Sequence, residues 1–104
     1  MADQRTAPAG IERIPPQNIE AEQAVLGAML IKKEAISAAA ELLTGDDFYR
    51  HAHRLVFDAI MTLHQANEAV DMITVTDRLK RDGELEKAGG IAFIAAFTRS
   101  SFPS

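Results

Sequence analysis

The chain of 104 residues contains no cysteine. That excludes a disulfide framework and a thiolate metal site, and it suits a reducing cytosol. Basic residues are also in short supply. Eleven Lys and Arg stand against fifteen Asp and Glu, a formal charge of −4. Proteins that live on phosphate backbones are usually basic, so nucleic acid is a poor first candidate for the direct partner. No apolar run approaches the roughly 20 residues needed to span a bilayer. The N-terminal MADQRTAPAGIERIPP lacks the apolar stretch of a secretory signal. Neither GxxxxGK(S/T) nor a GxGxxG following a strand occurs. What remains is enough for one domain: hydrophobic residues make up 47% of the chain, and this length buries a real core without staples. The expectation is a soluble intracellular domain.

No segment sustains period-two alternation, and several carry helical spacing, which predicts an all-α, compact bundle of five to six short helices. Residues 1–16 are small and polar and read as a flexible N-terminal tail closed by Pro15-Pro16, with Ile11 and Ile14 able to lie on the domain; residues 17–104 form the helical domain. Asn18 is a good N-cap for a first helix, with Glu20 and Glu22 in its first turn where the dipole favours acids. Val25, Leu26, Met29 and Leu30 form its apolar stripe. Ala21, Ala24 and Ala28 form a small-residue ridge beside Gly27, suited to close approach by another helix. Lys32 and Lys33 suit its C-terminal end.

A second helix over residues 34–43 places Ile36, Ala39, Ala40 and Leu43 on one side, with Gly45 as its stop. Asp46-Asp47-Phe48 forms a turn that drops Phe48 into the core. A third helix over residues 50–65 presents His53, Val56, Phe57, Ile60, Leu63 and His64 on one face. Asn67-Glu68 makes a turn, and a fourth helix starts at Asp71 or Thr74, either of which can cap it. Ile73, Val75, Thr76 and Leu79 supply its apolar side, and Gly83 ends it. ELEKAGG is a brief helical turn that sends Leu85 inward. The last helix, residues 91–98, is apolar nearly all round; with Phe93 and Phe97 on different faces, part of it is expected to meet another segment or chain.

GDDFYRHAHRLVF, residues 45–57, has the letters of a catalytic or metal site. The spacing argues otherwise. His51 and His53 face different directions on a helix. His53 and His64 share a face, but eleven residues at 1.5 Å rise separate them by about 16 Å. Nothing provides a base for a serine nucleophile. His53, one turn before Phe57, is expected as a core-edge histidine with a local hydrogen bond. His51 and Arg50 are expected in solvent. Residues 73–94 have a helix-turn-helix look with Lys80-Arg81 at the turn, so a small helical nucleic-acid-binding module is the alternative reading. Acids flank those bases throughout. A small helical domain without a chemical site is more simply a protein-binding one.

IPPQNIEAEQAVLGAML, DDFYRHAHRLVFDAI, VDMITVTDRLKRDGELEKAGGIAFIAAF and the closing FPS together resemble the N-terminal domain of the bacterial replicative DNA helicases, the DnaB family. The likeness runs from Ile14 to Ser104. It implies a helical domain that forms part of a collar, a trimer of dimers, in a hexameric ring around single-stranded DNA. The primase C-terminal domain would dock there, other helicase subunits would be neighbours, and a helicase loader is a further partner. Direct DNA contact, a membrane and catalysis are not expected of these residues. ATP and Mg belong to the RecA-like domain of the family, and the fragment itself needs no cofactor and no metal. The family continues into a helical hairpin that makes the dimer contact; the 104 residues stop before it, so a monomer or weak dimer is expected. By motif position, Glu20 in NIEAEQ and Phe93 in GGIAF are the primase-facing candidates. The family often has tyrosine where Phe93 stands, so a hydroxyl contact there is lost. Phe48, His53, Arg54, Phe57, Gly89 and Gly90 are expected as a structural signature, with His53 and Arg54 tying the turn to the third helix.

Overall fold

The computed structural model describes residues 18–101, with side chains as far as 97. The expected tail, residues 1–16, and the closing Phe102-Pro103-Ser104 lie outside the described residues. The chain forms α1 (Ile19–Ile31), α2 (Lys33–Leu42), a 3-10 turn (Gly45–Asp47), α3 (His51–Gln65), α4 (Met72–Arg81) and α5 (Gly90–Ser101), with no strand among the described residues. This is the all-α bundle that the helical spacing predicts.

Each boundary has a local cause. The Asn18 side chain accepts the Ala21 N–H at 2.9 Å and starts α1. A single extended residue, Lys32, separates α1 from α2; Lys33 therefore opens α2 and does not belong to the end of α1. The second helix stops because Leu43 is extended and turns into the core, so Gly45 is not its terminator. The Thr44 N–H donates to Asp47 at 2.8 Å and closes the 3-10 turn. Asp71 caps α4: its carboxylate accepts the Thr74 N–H, and Thr74 Oγ1 accepts the Asp71 N–H, both at 2.9 Å. Gly83, at φ 72°, ends α4, with the Glu84 N–H returned to Leu79 at 2.8 Å. Asn67, at φ 61°, does the same after α3, with the Glu68 N–H on Leu63 at 2.9 Å.

The first helix is the centre of the bundle. It packs most heavily against α5 and also against α2 and α3. Its buried positions, 22, 25, 26, 27, 29 and 30, therefore cover more than one face, which is why Gly27 is tolerated inside it. Leu26, Met29, Ile36, Phe48, Val56, Ile60, Val75, Leu79, Ile94 and Phe97 are the most buried apolar side chains. Ala88, in the turn before α5, is also fully buried, while Leu85 is half-buried against the core.

Two expected core positions move outward, and one expected division of faces is lost. Ala40 is exposed because α2 packs on one narrow stripe, Ala35, Ile36 and Ala39. Ile73 is 74% exposed, since Val75 and Leu79 set the buried side of α4 and Ile73 falls away from it. Phe93 and Phe97 do not lie on different faces. They are one turn apart on one face of α5, and their rings meet edge to face at 5.2 Å.

Candidate functional site

A buried acid joins α1 to the start of α3. Glu22 and His53 are both fully buried, and His53 Nδ1 lies 2.6 Å from Glu22 Oε1. The same carboxylate accepts the Tyr49 N–H at 2.5 Å and the Arg50 N–H at 3.5 Å. These amides lie immediately ahead of α3, whose N-cap residue Arg50 forms no side-chain cap. The anion that the α3 N-terminus favours thus comes from another helix, 27 to 31 residues away in sequence. Arg54 adds a second tie, its Nε donating to the Phe48 carbonyl at 2.8 Å. Phe48, held at the end of the turn, packs on Phe57 at 5.0 Å between ring centroids.

An aromatic cluster covers the pair. Phe93 stacks on the His53 ring at 5.7 Å and 12°, and Phe97 meets it edge-on at 5.5 Å. Outside Phe93 lies the Arg50 guanidinium, 5.4 Å from the ring centroid, a cation–π contact worth about 0.5–1 kcal/mol at an exposed site. Gly89 makes this stack possible. It sits at φ 101°, and a Cβ there would be 2.5 Å from Phe93 Cγ, so only glycine lets the ring lie over the backbone. Gly90, at φ 82°, has open space around it and serves the turn alone.

His53 Nε2 is buried without a hydrogen-bond partner among the described residues. Burial holds the imidazole below its usual 6.5, against the opposing pull of the Glu22 hydrogen bond and charge; Arg50 adds to the lowering. The neutral tautomer that donates from Nδ1 to Glu22 fits this environment, leaving a lone pair, not a second N–H, among the rings. The hydrogen bond of His53 is therefore long-range, not local, and the residue lies inside the core, not at its edge.

The two expected partner-facing residues stand differently. Phe93 belongs to the cluster and is half-buried. Glu20 is exposed in the first turn of α1, two residues before Glu22 and therefore on nearly the opposite side of that helix. The structure does not bring Glu20 into the network. Tyr49 (58% exposed), Arg50 and Ile91 (57% exposed) face outward at the starts of α3 and α5, as does His51. Glu22 was passed over on spacing, although a signal was present. Position 22 lies in register with Val25, Leu26 and Met29, as His53 lies in register with Val56, Phe57 and Ile60. An acid and an imidazole on two core stripes are candidates for one buried pair.

No described group of three His, Cys, Asp or Glu side chains could hold a metal. His51 is exposed. His64 lines an open depression of about 390 Å³ with Ile31, Lys33, Ile36 and Val70. The arginines of α4 are locally engaged: Arg78 pairs with Asp82 at 3.2 Å and Arg81 with Asp77 at 3.3 Å. No helix among the described residues is long and apolar enough to cross a membrane.

Comparison with known proteins agrees with this architecture. Residues 14–104 match the family described as the DnaB-like helicase N terminal domain. The replicative DNA helicase DnaB of Rhodothermus marinus is 51% identical over 86 residues, which cover 83% of this chain and 9% of that protein. The replicative DNA helicase DnaC of Bacillus subtilis is 45% identical over 89 residues, 86% of this chain and 20% of that protein. The N-terminal domain of DnaB helicase from Mycobacterium tuberculosis superposes with a TM-score of 0.80 at 42% identity, covering 84% of this chain and 62% of that one. The chain thus spans a fifth or less of these two curated relatives, and no ATPase domain lies within its 104 residues. It belongs to the DnaB-like helicase N-terminal domain family.

Proposed function

We propose that the domain serves as a collar and interaction module of its helicase in the bacterial cytoplasm, supporting hexamer assembly and docking the primase C-terminal domain at the replication fork. A helicase loader is a further partner of the same ring. The observation that carries this reading is the cluster at the starts of α3 and α5. Tyr49, Arg50, Phe93 and Ile91 offer aromatic, guanidinium and apolar surface on a rigid, fully packed base. Tyrosine and arginine over a desolvated support are the residue types that dominate protein–protein affinity. The paired arginines of α4 weigh against the nucleic-acid reading, because each already has a carboxylate at hand.

Titration of the primase C-terminal domain against wild type, Glu20→Lys and Phe93→Ala tests the proposal. Truncating a central aromatic costs about 2 kcal/mol or more, roughly a 30-fold loss of affinity. Circular dichroism checks that Phe93→Ala still folds, since the ring is part of the packing on His53. Unchanged affinity in both folded variants would remove these residues from the docking surface. A single-stranded oligonucleotide provides the other arm: binding that collapses between about 50 and 200 mM salt would favour the nucleic-acid module instead.

A further inference from the structure

We propose that Glu22 is a positioning residue of the docking surface: its buried carboxylate fixes the backbone of Tyr49 and Arg50 and so holds the Arg50 guanidinium over Phe93, where a partner would meet it. This rests on the docking reading above. It goes further in assigning a role to a residue that no partner can touch.

Arg50 has no side-chain partner of its own at the α3 N-cap, and its side chain is exposed. An exposed arginine is normally spread over many rotamers. Here two constraints converge. The carboxylate of Glu22 takes the N–H groups of residues 49 and 50, which sets the direction in which the chain enters α3. The same carboxylate holds His53, and His53 supports the Phe93 ring from beneath. Backbone and ring are thus registered to one buried anion, and the guanidinium bridges them from outside. Glutamine in place of Glu22 keeps the shape but turns an NH2 toward one of the donors that now share two oxygens. Either the Tyr49–Arg50 backbone or the His53–Phe93 stack then shifts, or His53 changes tautomer and turns an unpaired N–H in among the rings.

The chain of 104 residues, with the primase C-terminal domain as probe, allows a double-mutant cycle between Glu22→Gln and Arg50→Ala. The expected result is that each single change weakens capture by about tenfold, while Glu22→Gln adds less than about twofold in the Arg50→Ala background. Two independent losses that multiply would show that Glu22 acts only through general stability, and would overturn the proposal. A spectroscopic arm reads the cause directly. The Tyr49 amide proton, donated to a carboxylate at 2.5 Å, resonates far downfield in wild type and Arg50→Ala and returns upfield in Glu22→Gln; an unmoved resonance overturns the assignment. If Glu22→Gln does not fold, Glu22→Asp replaces it in the cycle, keeping the charge but withdrawing it by one methylene. The two readings fail separately. Capture weakened by Phe93→Ala but not by Arg50→Ala leaves docking intact and removes the positioning role. No capture of the primase domain by wild type removes both.

Discussion

The starts of α3 and α4 solve the same problem in opposite ways. Each must satisfy backbone N–H groups where the chain enters a helix. Helix α4 does so within four residues, through the reciprocal Asp71–Thr74 bonds, in solvent. Helix α3 borrows a carboxylate from α1, and that carboxylate is completely buried. A local cap can form before the rest of the domain and survive its loss. A borrowed cap exists only when the bundle is assembled. It therefore makes the α3 entry, and the surface built on it, conditional on the whole fold.

The most direct way to break this contrast is to remove both anions in turn. Glu22→Ala leaves the Tyr49 N–H and His53 Nδ1–H without their acceptor in a closed interior. Leaving a buried donor without its acceptor costs about 1–3 kcal/mol, and two are left here. Against a total stability of about 5–15 kcal/mol, that is a large fraction. Asp71→Ala exposes its orphan donors to water and costs about 1 kcal/mol. Urea unfolding of both variants measures the difference. Equal destabilisation would mean that the Glu22 site is as hydrated as the exposed cap, contrary to its burial.

The two glycine turns sharpen the same comparison at a smaller scale. Gly83, after α4, has φ 72° and open space where a Cβ would go; Gly83→Ala should cost about 1–2 kcal/mol of backbone strain and no more. Gly89, before α5, combines φ 101° with the Phe93 ring in the place of a Cβ. Gly89→Ala meets strain of about 1–3 kcal/mol and must also push Phe93 off His53. The distinguishing measurement is near-ultraviolet circular dichroism alongside thermal melting. The aromatic signal should change in Gly89→Ala and stay constant in Gly83→Ala. A constant signal in both would separate Gly89 from the stack.

How much of this could be read from residue order follows the same line. The cap at Asn18, the Asp71 or Thr74 start of α4 and the Gly83 stop are local signals and stand where spacing puts them. So does Phe48, dropped inward by its turn. The position of Ile73 was misjudged because a ten-residue helix has room for two plausible apolar stripes, and only packing chooses between them. The role of Glu22 was passed over for a different reason. An acid in a first turn already has a sufficient explanation in the helix dipole, and its real partners lie 27 to 31 residues away. Gly89 was legible as a break but not as a seat for Phe93, since that contact needs the turn conformation and the ring direction together. The resemblance to the helicase family supplied what spacing could not, the order in which these pieces recur.

The smallest expected effect is on pH dependence, because burial and Glu22 pull His53 in opposite directions. Burial prevails, so the folded-state imidazole titrates below its unfolded value of 6.5. As pH falls through that value, the unfolded chain takes up a proton that the folded chain still refuses, and the equilibrium moves toward unfolding. The contribution of His53 is thus complete above 6.5 and lost progressively on acidification below it. Asp58 has the opposite sign. Burial, then Glu84 and Asp46, raise its carboxyl, so protonation relieves the folded state at still lower pH. Melting temperatures of wild type and His53→Asn between about pH 7.5 and 5.5 isolate the histidine, since an asparagine amide overlays Nδ1 and keeps a donor for Glu22 without titrating. The wild-type curve should fall more steeply than the variant's. Parallel curves would mean that His53 carries its proton equally in both states, and that the closed environment of Glu22 and His53 differs less from the solvent-facing cap of α4 than their burial indicates.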